Sequence, residues 1–501
     1  MDSIMMLFHG FQEALTFSNL IYCIIGVSMG MFVGILPGLG PVSGTAILIP
    51  MTFGMEPVSA IIMLAGIFYG SMYGGTITSV LINTPGESAS VITAIDGHQM
   101  AKQGRGGTAL GVAAIGSFIG GVVAIIGLAF IGPPLANLAL KFGPPEFFAL
   151  MMFGLLMLVG LMGKSLVRGL IAAAFGLIIS LIGMDPMSGE IRFTFGQQHL
   201  LGGIDLVIVA MGLFGVSEIL YNAEKYMGLD KPPKIQGLFP KRGEWKPTLS
   251  SISRGTGLGF LIGLIPGANS AIASLISYSL EKKVAKDPTR FGKGAIEGVA
   301  GPETANNAHS GAALIPLFTL GLPSSPTVAI LLGAFIMHGL TPGPALFKDN
   351  PDFVWAVIAS MFIGNLILLF FNLPLASLWA KVALIPYKLL FPLILILTLV
   401  GTYSVNNSLW DVWMTLIFGV IGYLMKKLDI PAAATVLTFI LGSQIESSLL
   451  QSLTLSHNNL TVFFQRPISG TLMVICIIVL FASIISAMKK KRSNLVSDIE
   501  M

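Results

Sequence analysis

Apolar runs of about twenty residues, the length a helix needs to cross a bilayer, recur from one end of the chain to the other. Residues 108–131, 205–220 and 470–488 are three of them. Each run is continuously apolar, which excludes the alternating strands of roughly ten residues that build a membrane barrel. The pattern predicts an all-α integral membrane protein, a polytopic helical bundle of about 11–13 spans. No stretch is long and polar enough for a soluble domain.

The runs are interrupted in a regular way. Glycine supplies 59 of the 501 residues, well above the usual share of about 7%, and it clusters with proline in the middle of apolar segments, where either residue weakens a helix. Gly34-Ile-Leu-Pro-Gly-Leu-Gly40 matches Gly263-Leu-Ile-Pro-Gly-Ala-Asn269, and Asn83-Thr-Pro-Gly-Glu87 matches Gly321-Leu-Pro-Ser-Ser325. Two pairs of breaks in the same order predict an internal duplication over residues 18–222 and 254–446. A segment 1–17 precedes the first repeat and a cationic linker 223–253 separates the two. Residues 447–501 add one more helix and a basic tail.

Lys and Arg mark cytoplasmic loops. The loop 222–254 carries Lys225, Lys231, Lys234, Lys241, Arg242, Lys246 and Arg254, and 281–293 carries Lys282, Lys283, Lys286, Arg290 and Lys293. With both inside, the apolar stretch between them enters and returns as a re-entrant hairpin with Pro266-Gly267 at its tip. Its counterpart, 18–53 around Pro37-Gly38, has no flanking Lys or Arg and reads as a hairpin entering from outside. The second breaks reverse likewise: Lys102 and Arg105 follow the first, Asp349 and Asp352 the other. The halves therefore read as inverted, each with about five crossings and one hairpin, an odd number of crossings being what inversion requires. Segments 184–204 and 447–468 fall outside; Lys426-Lys427 and the C-terminal Lys489–Arg492 fall in the cytoplasm.

Composition agrees: 54% of residues are hydrophobic and 10% charged, with a mean hydropathy of +0.84. The net charge of +4 resides in loops and implies no nucleic acid. Cys23 and Cys476 lie in apolar runs and read as core residues, not as a disulfide or metal site. The first residues hold no Lys or Arg and no small-residue cleavage site, which argues against a cleaved signal peptide. There is no H-E-x-x-H, and Gly163-Lys164-Ser165 lacks the first glycine of a phosphate loop, Leu158 standing there. Metalloprotease and ATPase chemistry are excluded, and nothing points to an enzyme. Channel-filter repeats are not evident either.

Lipid offers no hydrogen bonds, so broken helices are tolerated only where protein or a watery cavity surrounds them. Matched breaks in inverted halves point to a transport site near the membrane midplane, where half-helix N-termini attract anions and freed carbonyls hold cations. The substrate-binding candidates are Pro37, Gly38, Gly40, Asn83, Thr84, Pro85, Gly86, Ser88, Gly267, Asn269, Ser270, Asn306, Asn307, Pro323, Ser324, Ser325 and Thr327. Glu87, Glu303 and Thr304 are candidates for cation coupling. Glu303, Asn306 and Asn307 belong to a polar island, GPETANNAHSG at 301–311, expected just ahead of a broken span at 308–340. On a helix, 303 and 307 share a face, and an ionisable group at membrane depth is functional by default. The alternative makes Glu303 an interfacial residue close to Lys293. His309 reads as a bystander, since no second His or Cys stands at ligand spacing.

Four stretches carry a family resemblance: GILPGLGPVSG (34–44), YGGTITSVLINTPGESASVITAIDGHQMAKQGRG (73–106), GLIPGANSAIA (263–273) and PETANNAHSGAALIPLFTLGLPSSP (302–326). There the chain resembles the large membrane subunit of tripartite tricarboxylate transporters, over nearly its whole length. The resemblance implies a multi-pass bacterial inner-membrane protein that works with a small membrane subunit and a periplasmic solute-binding protein. It further implies import of carboxylates such as citrate, driven by Na⁺ or H⁺, with no other cofactor. Two departures stand out, Asn269 and Ser324, where the family usually has glycine. A carboxylate or anion channel, or a secondary transporter without a binding protein, is the rival reading.

Overall fold

A computed structural model describes residues 2–36, 38–162, 165–185, 188–225, 235, 237–382, 385 and 387–481. Among the positions singled out in the sequence, Pro37, Gly163, Lys164, Lys231, Lys234 and the basic tail 489–492 lie outside the described residues. The first half runs α1 (Asp2–Ala14), α2 (Phe17–Ile35), α3 (Gly40–Leu48), α4 (Pro57–Ile82), α5 (Ser90–Lys102), α6 (Gly106–Ala139), α7 (Pro144–Met162) and α8 (Leu166–Ser180). A two-residue antiparallel pair follows, Gly183 opposite Arg192 and Met184 opposite Ile191. Next, α9 (Leu206–Ala210) passes through a π turn at Met211–Val216 into α10 (Ser217–Lys225). The second half runs α11 (Trp245–Gly263), α12 (Ser270–Val284), α13 (Glu297–Ala312), α14 (Leu314–Leu320), α15 (Pro326–Met337), α16 (Leu346–Asp349), α17 (Pro351–Asn372) and α18 (Ala376–Val382). The last helices are α19 (Tyr387–Asn406), α20 (Leu409–Lys427), α21 (Ala432–Leu455), α22 (Val462–Gln465) and α23 (Pro467–Phe481).

Among the described residues, seven helical stretches are long and apolar enough to cross a membrane: α2, α4, α6, the α9–α10 unit, α17, α20 and α21. Five shorter apolar helices accompany them, at 144–157, 167–180, 326–337, 390–406 and 467–481. The chain is thus an all-α polytopic membrane protein. The helix at its centre, α4, is buried on every side from Ser59 to Leu81, as expected of a helix apolar all round.

Two glycine seams set the close packing. On α2, Gly26, Gly30 and Gly34 face α4 so closely that a Cβ would lie 2.2, 2.5 and 2.2 Å from the carbonyl oxygens of Met63, Ile67 and Ser71. On α11, Gly255, Gly259 and Gly263 face Gly301, Ala305 and His309 of α13 in the same way, at 2.5, 2.2 and 2.7 Å. Backbone rests on backbone, the small-residue packing that lets membrane helices associate without a hydrophobic driving force. The four-residue spacing is plain in the sequence, although the interruptions at Pro and Gly draw attention away from it.

The interruptions themselves come in matching forms. After α2 the chain turns through Gly38 at φ +89°, and after α11 through Gly267, also at φ +89°, a backbone that favours glycine. After α4 the cap is Asn83 at φ 52°, with Thr84 N–H donating to the Thr78 carbonyl at 3.2 Å. After α14 it is Gly321 at φ 69°, with Leu322 N–H donating to the Pro316 carbonyl at 3.2 Å. Both are left-handed caps closed by a bond spanning six residues. The departure at Asn269 carries no strain: its backbone is extended at φ −95°, and its side chain caps α12 by accepting from Ile272 N–H at 3.0 Å.

The half-helices interlock. The one following the first tip, α3, packs on α15 beyond the second break, and α12 packs on α5 beyond the first. Side chains brace this arrangement. Asp96 on α5 accepts N–H bonds from Gly292, Gly294 and Ala295 at 2.8–2.9 Å and the Tyr278 hydroxyl at 2.8 Å. Arg254 on α11 clasps Glu281 on α12 with two bonds of 2.8 and 2.5 Å, joining the limbs of the second hairpin.

Candidate functional site

The polar island lies in the body of α13, not ahead of a broken span: the helix runs unbroken through Glu303, Asn306, Asn307 and His309, and every residue from Glu297 to Ala312 is buried. The break comes later, after Leu320. A helix this polar survives in the interior because α4, α5, α6, α11 and α12 enclose it and supply partners, as buried polar groups require.

Glu303 has no exposed surface. Its Oε2 accepts from the Thr76 hydroxyl on α4 at 2.8 Å and its Oε1 from the Thr93 hydroxyl on α5 at 2.5 Å. This environment overturns the interfacial alternative beside Lys293. Glu87, 6% exposed, lies in the first break, just before α5. Its Oε2 accepts from Ala89 N–H at 3.0 Å, as an acidic group at a helix start does, and its Oε1 accepts from Asn306 Nδ2 at 2.8 Å. Among the described residues, none of the ion pairs involves Glu87 or Glu303; the basic partners serve Glu146, Glu218, Glu224, Glu244, Glu281, Glu297, Asp429 and Glu446. Two carboxylates are therefore held by hydroxyl, amide and backbone donors alone. The Asn306 Oδ1, also buried, has no hydrogen-bond partner among the described residues.

Asn307 turns to α6, donating to the Ser117 hydroxyl at 2.7 Å and to its own helix at the Glu303 carbonyl. Beside it is a cavity of 20 Å³ lined in part by Tyr69, Tyr73 and Asn365, large enough for about one water molecule. Tyr73 donates to Asn365 Oδ1 at 2.7 Å, and Asn365 to the Phe118 carbonyl at 2.9 Å. Thr304 bonds back to the Ala300 carbonyl at 2.7 Å and packs against Gly116 and Gly120 of α6. Sequence reasoning missed Tyr73, Thr76, Thr93, Ser117 and Asn365, since a single hydroxyl or amide in an apolar run gives no signal by itself.

At the breaks, each tip meets its own break. In the first half, Gly40 approaches the Gly86 carbonyl, and Gly86 is wedged between the Gly34 carbonyl and Gly75. In the second half, Gly267 N–H donates to the Ser324 carbonyl at 3.1 Å, and the Ser324 hydroxyl donates to the Ala313 carbonyl at 2.9 Å. Ser325 caps α15, accepting from Val328 N–H at 3.4 Å, with Pro326 at the first turn. Ser270, Pro323 and Thr327 are buried; Pro85 is half-buried. Thr84, half-buried, bonds to the nearby Ile82 carbonyl at 3.1 Å. Gly38, Asn83 and Ser88 are exposed, and these three are not drawn into the cluster around α13. His309 is a buried core residue outside the carboxylate cluster, and its Nε2 lies 2.7 Å from the carbonyl of Ala268 at the second tip. A cavity of 560 Å³ opens elsewhere, beside Arg192, Asp205 and Glu446, and none of the predicted site residues lines it.

The family model for the tripartite tricarboxylate transporter TctA family matches residues 20–437. The chain belongs to this family. It is 43% identical over 498 residues to an uncharacterised 52.8 kDa protein of the TAR-I ttuC′ 3′ region of Agrobacterium vitis, covering 99% of each chain. A second relative, from the TAR-II ttuC′ 3′ region of the same organism, is 42% identical over 236 residues, 47% of this chain and 98% of its own length. No solved structure matches. TctA family membership makes the chain a multi-pass transport protein, the large subunit of a tripartite tricarboxylate transporter.

Proposed function

We propose that this TctA-family subunit is the permease of a binding-protein-dependent secondary transporter in the bacterial inner membrane, importing tricarboxylates or related carboxylates with a cation, Na⁺ or H⁺. A small membrane subunit and a periplasmic solute-binding protein complete it, and its C-terminus is cytoplasmic. The observation that carries this reading is the buried contact between Glu87 and Asn306. It links the first break to the central helix of the second half, with a second carboxylate, Glu303, on the same helix and an amide oxygen left without a donor. Acceptor oxygens with no basic partner suit a cation, since a bare carboxylate in an apolar interior is costly. The N-termini of α5, α12 and α15, capped by Asn269 and Ser325 in the last two, supply N–H groups for the substrate carboxylates.

In this reading residues 18–222 and 254–446 are inverted repeats. The paired glycine turns, paired caps and paired seams support the duplication. The lysine and arginine distribution supports the inversion.

The test is reconstitution of the chain with both partner subunits in vesicles. Labelled citrate accumulates only with the binding protein present and a cation gradient imposed, and separate Na⁺ and H⁺ gradients identify the ion. Accumulation that persists after both gradients are collapsed would sink the coupled mechanism. Replacing Glu87 with Gln is expected to weaken the cation dependence while folded protein is retained.

A further inference from the structure

We propose that His309 is the positioning residue of the second hairpin tip, holding the backbone of residues 266–269 through its imidazole N–H. Ala268 lies between α11 and α12 and is 4% exposed, so its carbonyl needs a donor from within the protein. The neighbouring backbone N–H groups are engaged elsewhere: Ile272 with Asn269 Oδ1 and the Asn269 carbonyl, Ala273 with the Asn269 carbonyl. The imidazole supplies the bond instead, at 2.7 Å. A carbonyl only accepts, so the hydrogen is on Nε2, which fixes the tautomer. Nδ1 is then an acceptor, buried and without a partner among the described residues.

The bond completes a set that ties tip, break and central helix together. His309 holds Ala268, and the next residue back, Gly267, donates to Ser324. Ser324 donates to Ala313, and Ala313 N–H donates to the carbonyl of His309 at 2.8 Å. Both family departures, Ser324 and Asn269, thus take part in fixing this tip.

The first half lacks the arrangement among the described residues. Ser71, whose carbonyl meets Gly34 as that of His309 meets Gly263, spends its hydroxyl on the Phe68 carbonyl of its own helix. Both tips share one bond within the turn, Leu39 N–H to the Leu36 carbonyl in the first and Ala268 N–H to the Ile265 carbonyl in the second. What differs, among the described residues, is the side chain at the matching position: Ser71 bonds within its own helix, and His309 reaches the tip.

That the tip serves a carboxylate site rests on the function proposed above; that His309 holds it does not. The test compares His309→Gln with His309→Asn in the full chain assembled with its partner subunits. The amide nitrogen of Gln reaches the place of Nε2, whereas that of Asn reaches only the place of Nδ1. The two variants are alike in polarity and differ in this bond.

Amide exchange at residues 264–270 is expected to stay within twofold of wild type in the Gln variant. It should rise about fivefold in the Asn variant, the effect of losing roughly one net hydrogen bond. In vesicles, the half-saturating citrate concentration should rise by a similar factor for Asn, with a smaller change in maximal rate, and return to near wild type for Gln. Equal exchange in the two variants, or equal loss in both, would overturn the assignment. If wild-type protein carries no citrate, the transport reading fails while the exchange comparison still decides the role of His309.

Discussion

The two breaks share only their proline, and exchanging the residues that follow it, Gly86 and Ser324, gives a direct test of the packing. Gly86 and Ser324 each lie three residues beyond a left-handed cap. A Cβ on Gly86 would lie 1.8 Å from the Gly34 carbonyl oxygen and 2.8 Å from the Gly75 Cα, both backbone atoms that no side-chain rotation can move. Ordinary contact is near 3.4 Å, so Gly86→Ser forces the end of α2 away by about 1.5 Å and opens its seam with α4. Overpacking costs about 1–3 kcal/mol where the surroundings yield, and more where backbone must shift; about 3 kcal/mol or above is expected. In the opposite exchange, Ser324→Gly loses one buried bond to Ala313, about 1 kcal/mol net, with a further ~0.5–1 kcal/mol from the added freedom of glycine. Thermal unfolding of the purified chain in nanodiscs, read beside citrate uptake in vesicles, ranks the two. Gly86→Ser should melt earlier and lose uptake, with Ser324→Gly between it and wild type. A Gly86→Ser protein with wild-type melting and uptake, or one less affected than Ser324→Gly, would refute the argument.

Three further outcomes follow from contacts around α13. Glu303→Gln should fold within about 1 kcal/mol of wild type, because threonine hydroxyls can donate to the amide oxygen and accept from its nitrogen. It should nevertheless require at least about tenfold more cation for half-maximal uptake, equivalent to ~1.4 kcal/mol; unchanged cation dependence would remove Glu303 from the coupling site. Arg254→Ala strands the carboxylate of Glu281, whose side chain is 1% exposed, and should cost about 3 kcal/mol by thermal unfolding. Arg254→Lys should recover only part of this, because lysine cannot reproduce the two-pronged clasp. Asp96→Ala removes four bonds and should destabilise by about 3 kcal/mol or more. Asp96→Asn, which keeps an acceptor for the three N–H groups, should lose much less, and equal losses would show that the contacts to residues 292–295 carry little stability.

What could be read from the sequence follows from where the physical signal is local. The broken helices were legible because Pro and Gly act on their own backbone, and the paired motifs gave both tips and both breaks their places. The island at 301–311 was legible as polar residues in an apolar chain. Its position was not, because a helix reading Glu-Thr-Ala-Asn-Asn-Ala-His carries no apolar stripe; its burial comes from five other helices. Thr76 and Thr93 gained meaning only when folding set them against Glu303. His309 was legible as a core residue and not a ligand, but its partner was not, being a backbone carbonyl 41 residues away, which no side-chain pattern announces. The glycine seams, in contrast, were in plain view at four-residue spacing, and their role as flat contact surfaces was obscured by the habit of reading glycine in a membrane helix as a weak point.

A row of small residues, one per turn, does not by itself say which turn faces which. On α2 the row ends at Tyr22, one turn before Gly26, so sliding α2 by one turn, about 5.4 Å, would press a ring against the carbonyl of Met63. That first pairing resists a slide in this sense. On α11 the row continues to Ser251, one turn before Gly255, and a slide in the same sense would meet only another small residue. The second pairing is ambiguous in its seam and is made unique from outside it, by the ring of bonds that runs through His309, Ala268, Ser324 and Ala313.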